Sequence, residues 1–210
     1  MILIRRFIVS LCFITLSPYC LANATQDATE FVQQTLDRLL TRVTLEKDRV
    51  RDNPAIVYSA VNEILAPYFD TNRIARGVMS RYYRKASKEQ KIRFRDKFER
   101  SLMQQYAAAL SAYDATDQRI EVLPGTKSFM DRKKVLVKLR VVSNSGTIPM
   151  TYSLVRQKKG GWKIKNVIIN GINLGLTLRN QFKQLMLVNA GDLDQTINSW
   201  GTAGNVAATD

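Results

Sequence analysis

Histidine is absent from all 210 residues, and cysteine occurs only as Cys12 and Cys20. Without imidazole there can be no Ser-His-Asp or Cys-His nucleophile system and no His-containing metal site. Both cysteines fall in the first two dozen residues, so the rest of the chain has no disulfide and relies on its apolar core. Five prolines and ten glycines exclude a low-complexity chain. After the N-terminus no stretch approaches the about 18 apolar residues of a membrane span. The chain contains no G-x-S-x-G and no glycine-rich phosphate loop, and Asp192 and Asp194 read as helix-start residues rather than a metal pattern. Glu30, Glu46 and Glu63 lie on polar helix faces, and none is spaced to oppose a second acid across a cleft. No catalytic residue, metal site or cofactor is expected, and the chain reads as something other than an enzyme.

What is present is apolar content and positive charge. Hydrophobic residues make up 45% of the chain, enough for a packed domain. Lys and Arg total 32 against 18 Asp and Glu, a formal excess of +14. Arg5 and Arg6 precede the apolar run Phe7 to Leu16, and the small residues Ala22 and Ala24 follow. A basic start, a short apolar run and an A-x-A end describe a secretory signal, so residues 1–24 are expected to be cleaved. Residues 25–200 then form one domain and residues 201–210 a flexible tail. The expected product is an exported protein free of the membrane.

Helical spacing comes first along the domain. Phe31, Val32, Leu36, Leu39, Leu40 and Val43 recur at helical intervals between Asp27 and about Asp52. Asn53-Pro54 starts a second helix that Pro67 stops, and Asp70 caps a third carrying Ile74, Val78, Met79 and Tyr82. Ser87 and Gln90 form a capping box for a long helix with Phe94, Phe98, Leu102, Tyr106 and Leu110. From Arg119 the period changes to two. A short strand, Arg119–Leu123, precedes Lys133–Val142, Ile148–Arg156 and Trp162–Ile169, the last three joined by short turns as an antiparallel meander. Helices return after Asn170-Gly171, with Leu174, Leu178, Phe182 and Leu185, then a last short helix capped by Asp192. The fold class is α+β: N-terminal helices, a twisted antiparallel sheet and C-terminal helices. Strand faces leave two readings open, a sheet simply covered by helices or a curved sheet whose cover leaves an apolar hollow.

Charge is concentrated between Arg73 and Arg100, where eleven basic residues stand against Glu89, Asp96 and Glu99. Such a run is either a solvated helix face or a docking surface. Export makes nucleic acid an unexpected partner, and leaves phospholipid headgroups, lipopolysaccharide or acidic faces of membrane-anchored proteins.

Three stretches, in order, carry a resemblance. They are LAPYFDTNRIARGVMSRYYRKASKEQKIRFRDKFERSL (Leu65–Leu102), QQYAAAL (Gln104–Leu110) and GWKIKNVIINGINLGLTLRNQF (Gly161–Phe182). Together they resemble the MlaC family, the toluene-tolerance auxiliary proteins, which are periplasmic phospholipid carriers of Gram-negative bacteria. The family commonly has Asp where Asn166 stands and Ser where Asn173 stands; Arg179, Gln181 and Phe182 keep its Arg-x-Gln-Phe element.

The resemblance implies an NTF2-like α+β fold enclosing an apolar pocket, with phospholipid as cargo and no cofactor. On that basis the pocket is expected among Phe98, Leu102, Tyr106, Val137, Leu139, Tyr152, Leu154, Ile164, Ile169, Leu174 and Phe182. Arg81, Arg84, Lys85, Lys88 and Lys91 are the expected docking or headgroup residues. The implied role is a monomeric shuttle of an Mla-type lipid-asymmetry ABC transport system in the periplasm. Its implied partners are an outer-membrane lipoprotein–porin complex and an inner-membrane ABC transporter with an MCE-domain ring. Two other readings stand beside it: a periplasmic adaptor without ligand, and a carboxylate-based envelope hydrolase.

Overall fold

The computed structural model describes residues 19–46, 55–114, 116–124, 129–131 and 134–201. The expected signal peptide lies outside them up to residue 18, as does the expected tail from residue 202. Helix α1 (Tyr19–Leu45) is followed by α2 (Ala55–Ile64), a 3-10 turn at Ala66–Tyr68, α3 (Thr71–Met79) and a second 3-10 turn at Ser80–Arg84. Helix α4 (Lys88–Ser111) completes the helical half. The strands are β1 (Arg119–Val122), β2 (Phe129–Asp131), β3 (Lys134–Ser143), β4 (Gly146–Arg156), β5 (Trp162–Ile169) and β6 (Ile172–Asn173). Helices α5 (Leu174–Val188) and α6 (Leu193–Ser199) close the chain.

The start signals read from sequence operate as hydrogen bonds. The Ser87–Gln90 capping box is complete on both sides, and Asp70, Asn173 and Asp192 each accept from a backbone N–H of the following first turn. Helix α1 ends at Leu45 and residues 47–54 are not described, so the expected run to Asp52 is followed only that far. Helix α3 stops at Met79 rather than continuing through Tyr82, because Ser80 takes a positive φ of 50°. The break turns Tyr82 back onto Phe182, 6.0 Å between ring centroids.

The sheet runs β1-β3-β4-β5-β6, all antiparallel, with β2 also paired to β3. The meander matches the alternation in the sequence; β2 and β6 were not evident in it. Asn170 and Gly171 both have positive φ, 49° and 81°, between the paired residues Ile169 and Ile172. Two central residues at positive φ suit the right-handed twist of the flanking strands, and Asn-Gly is the pair that adopts this most readily.

Two apolar cores result. The first joins one face of the sheet to α1, α2 and the second half of α4, with Leu39, Val57, Val61, Met103, Leu139 and Leu154 almost fully buried. The second is built from helices alone. Phe94, Phe98, Phe182 and Trp200 contact one another at centroid distances from 4.9 to 6.1 Å, and Val78, Met79, Met186 and Ile197 surround them. Helix α4 runs through both cores, and the Trp200 indole donates to Ser101 Oγ at 3.1 Å to fasten the end of α6 to it.

Candidate functional site

Register explains how the sheet's apolar face changes along its length. Residues that share a cross-strand row share a face, and successive rows on that face lie two residues apart. Val135, Leu154 and Ile164 form one row, and Val137, Tyr152 and Val167 the next; all six are at most 8% exposed. In the third row Leu139 stays buried, while Met150 and Ile169 are only partly buried and Ile172 is 40% exposed. Beyond it Val141 is partly buried and its partner Ile148 is 47% exposed. One continuous apolar face is therefore sealed at one end and open at the other. Leu102, Tyr106 and Leu110 of α4, Ile120 and Val122 of β1, and Leu174 at the start of α5 border it, all partly buried.

Tyr106 and Tyr152 are the phenols of this region. Desolvation by burial raises both; Tyr152 is pushed up to about 12. Tyr106 still keeps accessible surface. At neutral pH both hydroxyls remain protonated.

The expected pocket residues divide between the two cores. Leu102, Tyr106, Val137, Leu139, Tyr152, Leu154, Ile164, Ile169 and Leu174 belong to the sheet core or its border. Phe98 and Phe182 are 1% and 0% exposed in the helical core. Helical spacing shows that Phe98 and Leu102 share a face of α4, but it does not show that the helix passes from one core to the other between them. The exposed end, Ile148, Met150 and Ile172, was not among the expected residues. Its signal is the unbroken alternation of Ile148, Met150 and Tyr152 at the start of β4.

Asn166 and Asn173 form the joint between β5 and α5. Asn166 Nδ2 donates to Asn173 Oδ1 at 2.9 Å, and Asn166 Oδ1 accepts from Gly175 N at 3.0 Å. Asn173 Oδ1 also accepts from Leu176 N, which caps α5. A Cβ on Gly175 would lie 2.7 Å from Asn166 Oδ1, so a side chain there would push the Asn166 amide out of place. An aspartate in place of Asn166 cannot donate to Asn173, and Asn173 could turn its amide to that carboxylate only by giving up the cap. A serine in place of Asn173 can accept from Leu176 N while donating its hydroxyl to such a carboxylate, which makes the Asp/Ser and Asn/Asn pairs alternative solutions. Asn166→Asp alone should therefore cost about 1–2 kcal/mol, and adding Asn173→Ser should recover most of it. Urea unfolding of the four proteins in the cycle measures the coupling; additive losses would contradict it. Arg179, from the Arg-x-Gln-Phe element, donates to Gly77 O at 3.0 Å and ties α5 to α3.

The basic residues sit elsewhere. Arg81, Arg84, Lys85 and Lys88 are exposed on the second 3-10 turn and the start of α4. Arg81 lies over the Tyr82 ring, and Lys91 and Arg76 lie over Tyr83, with separations of 4.9, 4.9 and 5.4 Å. Tyr106 is 18 residues further along α4 than Lys88, about 27 Å at 1.5 Å per residue. The cation patch and Tyr106 are thus far apart along one helix. Among the described residues no three His, Cys, Asp or Glu side chains gather to hold a metal ion, and no helix is long and apolar enough to cross a membrane.

A family model described as MlaC protein matches residues 33–202. The toluene tolerance protein ttg2D of Pseudomonas putida is 41% identical over 189 residues, spanning 89% of this chain and 85% of that protein. The intermembrane phospholipid transport system binding protein MlaC of Haemophilus influenzae is 23% identical over 179 residues, spanning 83% of this chain and 82% of that one. Among solved structures, a phospholipid-binding protein from Ralstonia solanacearum, in complex with a phospholipid, has a TM-score of 0.71 at 24% identity. That match covers 81% of this chain and 93% of the other, and shows a shared fold.

Proposed function

The chain belongs to the MlaC family, and from that premise we propose that it binds phospholipid and carries it between membranes as a soluble shuttle. The observation that carries this reading is the sheet face that passes from sealed to open without ceasing to be apolar. An acyl chain in water loses about 0.8 kcal/mol for each exposed methylene, so two chains exceed 20 kcal/mol as an order of magnitude. A carrier must shield that length while leaving the charged headgroup in water. An apolar face buried at one end and exposed at the other meets both demands. The named function of the Haemophilus relative and the lipid held by the Ralstonia protein support the same cargo.

The carrier is a binding protein without a catalytic residue or cofactor. Residues 1–24 direct export to the periplasm and are removed there, leaving the domain from residue 25 to 200. The exposed cations at the start of α4 serve as the docking patch for the acidic surfaces it visits. Those partners are the outer-membrane lipoprotein–porin complex and the inner-membrane ABC transporter with its MCE-domain ring, and the shuttle works as a monomer between them. The pocket comprises the nine sheet-core residues together with Met150, Ile148 and Ile172.

Mass spectrometry of the organic extract from protein purified without detergent tests the reading. Phospholipid should be recovered in stoichiometric amount with the cleaved chain. An empty extract from folded protein would favour a ligand-free adaptor.

A further inference from the structure

A groove of about 190 Å³ lies between α3, the second 3-10 turn and α4. Lys88, Lys91, Ile92 and Arg95 line it at spacings i, i+3, i+4 and i+7, so it is bordered by one face of α4. Ala75 of α3 forms its buried floor at 4% exposure, and Tyr83 adds an aromatic wall. Among the described residues no carboxylate pairs with Lys88 or Lys91, and Arg95 pairs only with its sequence neighbour Asp96. Ile92 is 41% exposed between these cations. Asn72 lines the same groove, and its side-chain amide makes no hydrogen bond among the described residues. Asn72 and Arg95 also line a second groove of about 500 Å³, which extends past Glu99 toward Lys163 of β5.

We propose that this seam binds an extended acidic peptide segment of a partner protein. Its carboxylates meet Lys88, Lys91 and Arg95, an apolar side chain covers Ile92 and Ala75, and its backbone pairs with the Asn72 amide. The proposal rests on the docking reading of the α4 cations and names the chemistry of the partner. An amide side chain offers a donor and an acceptor together, which is what an extended backbone requires. Length agrees: Lys88 to Glu99 spans about 17 Å along α4, the reach of about five extended residues. Shape decides against a bilayer. A flat array of phosphates reaches the exposed Arg84, Lys85 and Lys88, but offers nothing to an alanine floor or an unpaired amide inside a cleft.

Titration of the purified full chain, isotope-labelled, with acetyl-Glu-Glu-Leu-Asp-Glu-amide tests this by amide NMR. Resonances of Asn72, Ala75, Ile92 and Arg95 should shift and saturate. The same peptide with Gln and Asn in place of its acids should bind about tenfold more weakly, since three exposed charge pairs contribute about twofold each. Lys91→Gln with Arg95→Gln should weaken the acidic peptide about fivefold and leave the neutral one unchanged, and Ile92→Ser should weaken both about threefold. Equal binding of the two peptides, shifts confined to other residues, or an unchanged affinity in the double variant overturns the proposal. Shifts at these residues with glycerophosphoglycerol but not with the peptide overturn it in favour of a lipid headgroup. If the peptide fails while Arg84→Glu with Lys85→Glu slows lipid transfer to anionic vesicles, the docking reading stands without the groove. If transfer is also unchanged, both fall.

Discussion

Met150→Asp and Ile169→Asp are expected to yield folded protein that no longer retains lipid, whereas Leu139→Asp, in the same cross-strand row, is expected not to fold. All three place a carboxylate on the same apolar face, and burial decides between the outcomes. Leu139 is 2% exposed and packed within the sheet core. An unpaired carboxylate there costs several kcal/mol beyond the lost apolar contacts. That sum is comparable with the whole stability of a domain, about 5–15 kcal/mol. Met150 and Ile169 are only partly buried, so in the empty protein an Asp can turn toward water. An acyl chain lying over that surface removes the escape, and the penalty falls on binding. Each 1.4 kcal/mol is tenfold, so retained lipid should drop to about a tenth of wild type or less. Circular dichroism reports folding and extraction reports cargo. If Met150→Asp and Ile169→Asp fold and keep their lipid, the open end of this face is not where the tails lie.

The second large effect concerns transfer. Arg84→Glu, Lys85→Glu and Lys88→Glu together should slow lipid hand-off to anionic vesicles by about tenfold at low salt and flatten its salt dependence, with cargo retained. Steering by an exposed patch acts on encounter rate and is screened over about 8 Å at physiological ionic strength, whereas burial of tails is not screened. Helix α4 supplies an internal control. Its N-terminus carries the positive end of the dipole, where Lys88 is mildly unfavourable and Glu favourable. The triple variant should therefore be at least as stable as the wild type, so slower transfer cannot be assigned to unfolding. Transfer measured by fluorescent-lipid exchange across a salt series, beside a melting curve, separates the roles. An unchanged rate and salt slope would mean that the patch is solvated surface and nothing more.

Local signals proved legible where one residue type meets one backbone need. Ser87 and Gln90 marked the start of α4, Asp70 and Asp192 marked two others, and Asn170-Gly171 marked the end of β5. Alternation located β3, β4 and β5 within a few residues. The division into two cores was not legible. Periodicity tells which side of α4 is apolar, yet Phe98 and Leu102 satisfy the same spacing while Phe98 faces Trp200 and Leu102 reaches both cores. The short strand β6 was hidden because two residues are too few to show a period. The open end of the sheet face was hidden for another reason. Ile148 and Leu154 alternate alike, and only the extent of helical cover distinguishes an exposed isoleucine from a sealed leucine.

The helical core has a consequence in time. Its contacts join the two ends of the domain: Arg179 to Gly77, Trp200 to Ser101, and Arg93 to Asp194, pairs 102, 99 and 101 positions apart. Helical assemblies usually draw on near neighbours in the chain and fold quickly for that reason, but this one must wait for distant segments to meet. Phe94 and Phe98 are made long before their partners Phe182 and Trp200, and the whole sheet is made in between. The core cannot close until the last turn of α6 has emerged. The residues that finish this core are among the last to be made.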